Sequence, residues 1–192
     1  MTVYDWPDAF LCSECSILLD PNTREFESPF TRAYQSIDLL GERFRMTVSL
    51  PPRYRRESGA LEAFFNKQRG VNRIRAWHLA RPEPVGTLRG APTLAAAAAQ
   101  GAAALSVSGS GTLAAGDMLG VGGLLFQVAE DCSGAGTIAV PLVNRARIAL
   151  ASGAAVTWYR PSSTWRLADP RVPVRHSAVV AQGVEVELIE TW

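Results

Sequence analysis

Apolar and polar residues alternate without a break from position 44 to 50. Phe44, Met46, Val48 and Leu50 share one parity, and Arg45, Thr47 and Ser49 share the other. Period two over such a stretch predicts a half-buried strand. Pro51-Pro52 ends it, because proline cannot donate to a sheet ladder. The period then changes. Between Ser58 and Arg69, the side chains of Leu61, Phe64, Phe65 and Gln68 fall on one helical face, with Glu62, Asn66, Lys67 and Arg69 mostly elsewhere. That spacing predicts a short amphipathic helix. Gly70 is placed to stop it in a left-handed turn. A helix with one apolar stripe needs a sheet to pack on. Residues 71–79 return to strand character, with Ile74 and Ala76 on one face and Arg73 and Arg75 on the other. After Pro161, residues 164–167 and 184–188 alternate again, with Val184, Val186 and Leu188 facing in and Glu185 and Glu187 facing out. Pro170 and Pro173 lie between them, where an edge or loop tolerates proline. The expected core of this outer part is Phe44, Met46, Val48, Leu50, Leu61, Phe64 and Phe65.

The middle of the chain has a different texture. From about Thr87 to Tyr159 it is rich in Ala, Gly, Ser, Val and Leu, and its only Asp, Glu or Lys residues are Asp117, Glu130 and Asp131. Short apolar runs recur at 105–107, 118–121, 124–128, 138–140 and 155–158. Glycine-rich clusters at 108–111, 122–123 and 133–136 are expected as the turns between them. Regular short strands with such turns predict a small β-barrel or sandwich. The alanine runs at 95–99 and 102–104 are broken by Gly101 and have no balancing polar face, so an extended lead-in strand is expected despite the helix propensity of alanine. The fold class expected is therefore mainly β: a β-sandwich with one packed helix, residues 1–86 and 161–192, carrying an inserted small β-barrel or sandwich domain, residues 87–160.

Composition narrows the function classes. The 192 residues are 47% hydrophobic and 19% charged, with a formal net charge of +1. This suits a globular core and supplies no bulk field towards nucleic acid or an acidic membrane. No apolar stretch approaches the ~18 residues of a membrane span. Asp5 and Asp8, without a basic run, make the first ten residues unlike a secretory signal. The three cysteines, Cys12, Cys15 and Cys132, are too few for a disulfide framework, and folding in a reducing cytoplasm is expected.

Several motifs have residue types that can carry chemistry. Cys12-Ser13-Glu14-Cys15 is a CxxC, the spacing of a redox pair or half a zinc site. Its flanks read as strand rather than helix, and only Cys132, His78 and His176 remain as soft ligands, so ordinary small thiols are expected and no metal. No nucleophile elbow, zincin or phosphate-loop pattern occurs. Gly120-Val121-Gly122-Gly123 is expected to be a hairpin turn. Asp117, after Gly116, is expected to form a turn rather than act as an acid, since Asp bonds its neighbouring backbone. Arg53-Tyr54-Arg55-Arg56 is expected to be a solvated loop or subunit contact rather than a phosphate site. Of the tryptophans, Trp6 and Trp192 could be interface anchors or core filling. Trp77, Trp158 and Trp165 complete the set. No catalytic, cofactor or metal residue is expected.

These residues together resemble a family, the distal tail proteins of long-tailed phages and related prophages. Ser28-Pro29-Phe30-Thr31-Arg32-Ala33-Tyr34-Gln35-Ser36 is similar to that family's "SPFTG..Q" segment, departing from its glycine at Arg32 and Ala33. Residues 41–52 resemble its strand ending in "LPP", and 64–77 its helix and turn into an aromatic-bearing strand. Residues 113–128 resemble "aGD.l.igg..yqV", 134–141 resemble "G.g.v.v.P", and 151–157 resemble "aspGaaV". Trp165-Arg166-Leu167 resembles the return to the outer domain. The resemblance spans about 28–167, and the shared order carries it more than any one piece.

The resemblance implies a structural virion protein of the tail tip, assembled in the bacterial cytoplasm, with no enzymatic activity and no cofactor. Its outer domain would form a ring, a hexamer in that family, between the tail tube protein and the baseplate hub, near the tape measure protein. The inserted unit would project outward and could meet a host surface glycan; no nucleic acid partner is implied. The alternative expectation is a carbohydrate-binding module, whose mark would be surface aromatics in a row, such as Trp158 and Tyr159.

Overall fold

The protein's structure is a computed structural model describing residues 1–177 and 179–191, the side chain of Arg55 excepted. The chain is mainly β with one helix among the described residues. It opens with β1 (Val3–Asp5), β2 (Glu14–Asp20), β3 (Thr23–Glu27), β4 (Tyr34–Asp38), β5 (Arg43–Leu50) and β6 (Arg53–Tyr54). Helix α1 (Arg55–Gln68) and β7 (Arg73–Ala76) follow. The middle contributes β8 (Thr93–Leu94), β9 (Ala104–Leu113), β10 (Met118–Val121), β11 (Leu124–Gln127), β12 (Cys132–Pro141) and β13 (Val156–Thr157). The chain returns through β14 (Ser163–Leu167), β15 (Val180–Ala181) and β16 (Val184–Thr191).

Strands from both ends of the chain share one six-stranded sheet in the order β1-β7-β14-β16-β5-β2. Only the β1–β7 pair in it is parallel. The alternation of β5 is fully expressed: its even positions are buried and its odd positions half-buried. The apolar face carries Phe44, Met46, Val48 and Leu50 with Ile74, Ala76, Trp165, Val184, Val186 and Leu188. Leu61, Phe64 and Phe65 of α1 pack into the same core. No side chain at Tyr54 caps the helix, and a cap is worth about 1 kcal/mol. Three buried side chains at roughly 1.5–3 kcal/mol each outweigh that loss, so packing rather than capping holds α1. The helix starts three residues earlier than expected and ends at Gln68; the next residue, Arg69, takes the left-handed conformation itself (φ 48) ahead of Gly70 (φ 71). The other sheet face is polar, as suits an antiparallel sheet with one solvated side. There Arg45 reaches across to Asp20 at 2.9 Å and Glu187 at 3.0 Å.

The middle segment builds two three-stranded sheets, β11-β10-β13 and β12-β9-β8, over a second core that includes Leu105, Val107, Leu119, Val121, Phe126, Ile138 and Val140. A Thr93–Ala155 bridge links the two sheets. The hairpin β10–β11 is buried on both faces. Leu119, Val121 and Phe126 face the second core, while Met118 and Leu125 enter the core of the large sheet.

Two local expectations need correction. The clusters at 108–111 and 133–136 are not turns. They lie inside β9 and β12, which pair residue for residue over their whole length, Gly111 opposite Gly134 and Gly109 opposite Gly136. Gly111 and Gly134 serve close approach, a second use of glycine within strands. A Cβ on Gly111 would come within 3.0 Å of the Leu88 backbone, and one on Gly134 within 2.3 Å of the Thr137 carbonyl oxygen. Nor is the alanine run one extended strand. After β8 it makes a single bridge, Ala98 with Leu150, and turns at Gly101 (φ 85).

Candidate functional site

The motifs weighed for chemistry are spent on structure. Gly122 (φ 59) and Gly123 (φ 81) form the two-residue turn between Val121 and Leu124, the doubly left-handed conformation that tight hairpins require. Asp117 is buried, and its carboxylate accepts from the backbone N–H of Val85 (2.8 Å), Gly86 (3.0 Å) and Ala114 (2.8 Å). It thereby ties the irregular segment leading into the middle of the chain to the turn before β10. Arg53 donates to the carbonyls of Ala9 and Leu11 and lies over the Phe10 ring. Tyr54 is exposed.

Cys12 and Cys15 are free thiols, and burial pushes the Cys15 thiol up. Among the described residues, no three His, Cys, Asp or Glu side chains gather as a metal group would need. His78 is buried, and burial pushes its pKa down, with the charge of Arg81 adding to the effect. His176 lies against α1, 3.2 Å from Glu62 Oε2 and 3.4 Å from Ser58 Oγ. The residue types are those of a hydrolase triad, but Ser58 is fully buried within the helix, so its hydroxyl cannot meet a substrate.

The aromatic pair Trp158 and Tyr159 is not a flat platform. The rings meet at 63°, the guanidinium of Arg89 lies 4.8 Å over Trp158, and the indole N–H is donated to the Gly90 carbonyl. Trp6, weighed as an anchor, is core: it is 3% exposed and packs edge-on against Phe10, Phe64 and Phe65. Trp165 is also core, donating to the Ala76 carbonyl. Trp192 lies outside the described residues.

Two surface features remain. The first is an arm, the two-stranded hairpin of β3 and β4, exposed along both strands. Phe26 (57% exposed), Ile37 (41%) and Tyr34 (61%) lie along it, and Phe30 at its tip is 95% exposed. The tip is ordered by the Ser28 carbonyl and hydroxyl, which accept from the N–H groups of Arg32 and Thr31, and by the Ser28 N–H, which donates to the Ala33 carbonyl. Arg32 there is left-handed (φ 54), the conformation glycine adopts without cost. On the opposite face from Phe26, a hydrogen bond to Glu25 raises the Tyr34 phenol above its ordinary pKa. A two-stranded hairpin is marginal alone, and exposed apolar side chains in a cluster mark an interaction surface.

The second feature is an aromatic cleft of about 230 Å³ where the amino-terminal segment crosses the end of β7. Trp6, Phe10, Leu11, Trp77 and Leu79 wall it, with Cys12 and Ser13 at one side. Arg160 closes the rim. Its guanidinium stacks 4.4 Å over Trp77 and pairs with Asp8 at 2.7 Å.

No protein-family model matches the chain, and no curated protein matches it.

The residues that pattern reading missed are a buried charge network where the middle segment meets the large sheet. Arg147 lies 2.8 Å from Glu190, with both side chains almost wholly buried. Glu190 also accepts from the N–H groups of Phe44 and Leu125. Glu42, buried beside it, accepts from the Arg145 N–H (2.6 Å) and guanidinium (3.0 Å). Arg145 reaches on to Asp38 and the Leu39 carbonyl at the foot of the arm. Burial alone would push the Glu42 carboxyl up, but the hydrogen bonds and charge of Arg145 together hold it below the usual carboxylate range. Parity was the available signal: Glu42, one residue before β5, and Glu190 in β16 fall in step with the inward Phe44 and Leu188.

Proposed function

We propose that this chain is a structural virion protein of a phage tail tip, with no catalytic turnover. In this reading the outer part, residues 1–86 and 161–192, forms a ring, hexameric as the resemblance implies, between the tail tube and the baseplate hub. The tape measure protein is a neighbour, and the middle unit, 87–160, projects from the ring. The observation that carries the reading is the arm: apolar side chains held out on an ordered hairpin, with no core of their own to cover them. A monomer leaves Phe26, Phe30 and Ile37 in water, whereas an assembly buries them. The ordered series of motifs from Ser28 to Leu167 adds support, and so does a large sheet that accepts strands from both chain ends around a separate β unit.

The carbohydrate-binding alternative draws less support, because Arg89 already occupies one face of Trp158. The test is the mass of the purified protein across a concentration series, read by light scattering. The reading expects a discrete oligomer that dissociates on dilution or resists it. A monomer at every concentration, with no binding to a tail-tube protein, overturns it.

A further inference from the structure

We infer that the arm of one copy docks into the aromatic cleft of the next, with Phe30 seated between Trp77, Phe10 and Leu11. This rests on the ring reading and names the acceptor surface.

The two features lie at opposite ends of one strand. Cys12 and Ser13, at the side of the cleft, lead into β2; Pro21 and Asn22, at its other end, lead into the arm. A seven-residue strand holds its ends ~20 Å apart. That strand is an edge of the large sheet and is paired on one side to β5, so the separation is rigid. A donor and an acceptor at opposite ends of a rigid element make a head-to-tail contact, which closes into a ring where the rotation between copies closes and runs on as a filament where it does not. The strand of the arm from Thr23 to Glu27 extends ~17 Å, with the tip turn that bears Phe30 beyond it. The arm is not seated on its own cleft, for Phe30 is 95% exposed and Leu11, on the cleft wall, 73%.

The surfaces also suit one another chemically. Aromatic side chains are enriched at the centres of interfaces, and the cleft offers aromatic edges on an apolar wall. The charged side chains lining it are Asp8 and Arg160, which pair with each other, so the apolar wall carries no net charge. The arm is mixed in charge, with Glu25 and Glu27 on one face, Arg24 on the other and Arg32 at the tip, so apolar contact rather than charge joins the two surfaces.

Cys12 makes the contact directly testable. In the full-length Phe30→Cys variant, mild oxidation with oxidised glutathione should link the new thiol to Cys12 of another copy. A ladder on a non-reducing gel and peptide mapping of the disulfide read the result. The F30C protein should give at least tenfold more Cys12-linked product than Val71→Cys, a similarly exposed control (Val71 is 61% exposed), and Cys12→Ser should abolish the product. Phe30→Ala in the native background should weaken self-association at least tenfold. If the native chain is oligomeric but F30C links only to itself or not at all, the cleft is not the acceptor and the ring reading stands. If the native chain is monomeric throughout, both fall.

Discussion

Arg147 and Glu190 meet at 2.8 Å, where the middle segment's last loop enters the large sheet, with side chains 3% and 1% exposed. Glu190 arrives on the last strand of the chain, and Arg147 from the other core. Removing one partner of a buried pair leaves an uncompensated charge and costs about 3–5 kcal/mol. Glu190→Ala should cost that much in urea unfolding, and the double variant with Arg147→Met should recover part of it. A Glu190→Ala loss below about 1 kcal/mol would contradict the assigned role.

Glu42 predicts an acid dependence. Its folded carboxyl lies below the ordinary value of 4.5, so it contributes stability that is fully present above that value. The contribution fades as pH falls below 4.5 and through the depressed folded value. Stability measured from pH 7 down to 3 should therefore fall more steeply for the native chain than for Glu42→Gln, and the two curves should converge at the acid end. Parallel curves would mean that Arg145 does not hold the carboxylate charged.

Asp117 is a clasp, and its removal should act locally as well as globally. Asp117→Ala strands three backbone N–H donors, each of which bonds a charged oxygen. A loss of about 3 kcal/mol is expected. Hydrogen exchange should quicken first at residues 85–86 and 114, while the β5 and β16 amides keep their protection. Uniform quickening would argue against a local clasp.

Gly86 predicts a steric cost with no change of charge. An added Cβ would stand 2.2 Å from the Thr112 carbonyl oxygen, which is backbone and cannot swing away. Gly86→Ala should lose about 1–3 kcal/mol in thermal or urea unfolding. Gly59, with open space around its Cβ position in α1, is the control. Ala there should be neutral or stabilising by up to about 1 kcal/mol.

The large sheet and its helix were legible because one face of each is buried. Strict alternation in β5 and β16 and the stripe of Leu61, Phe64 and Phe65 follow directly from that. The middle segment was legible as β but misread in detail. Gly109, Gly111, Gly134 and Gly136 look like turn formers in sequence, yet they sit in strands; Gly111 is crowded there by the Thr87–Leu88 backbone and Gly134 by the Thr137 carbonyl. The strands of the arm went unpredicted because Thr23–Glu27 and Tyr34–Asp38 have no buried face, so no period marks one side as inward; only the resemblance drew attention to Phe30. The junction charges were concealed by habit, since Glu is expected outside. Counting parity past Leu188 to Glu190, and back from Phe44 to Glu42, places both carboxylates inward.

The most direct test of the tail-tip account is electron cryo-microscopy of the purified full-length chain at high concentration, alone and with a tail-tube protein. The account predicts closed rings of the 20.7 kDa chain, six copies in each, with arms reaching between neighbours and 87–160 on the outer side. Particles of single chains only, with bare arms and no tube protein attached, would contradict it.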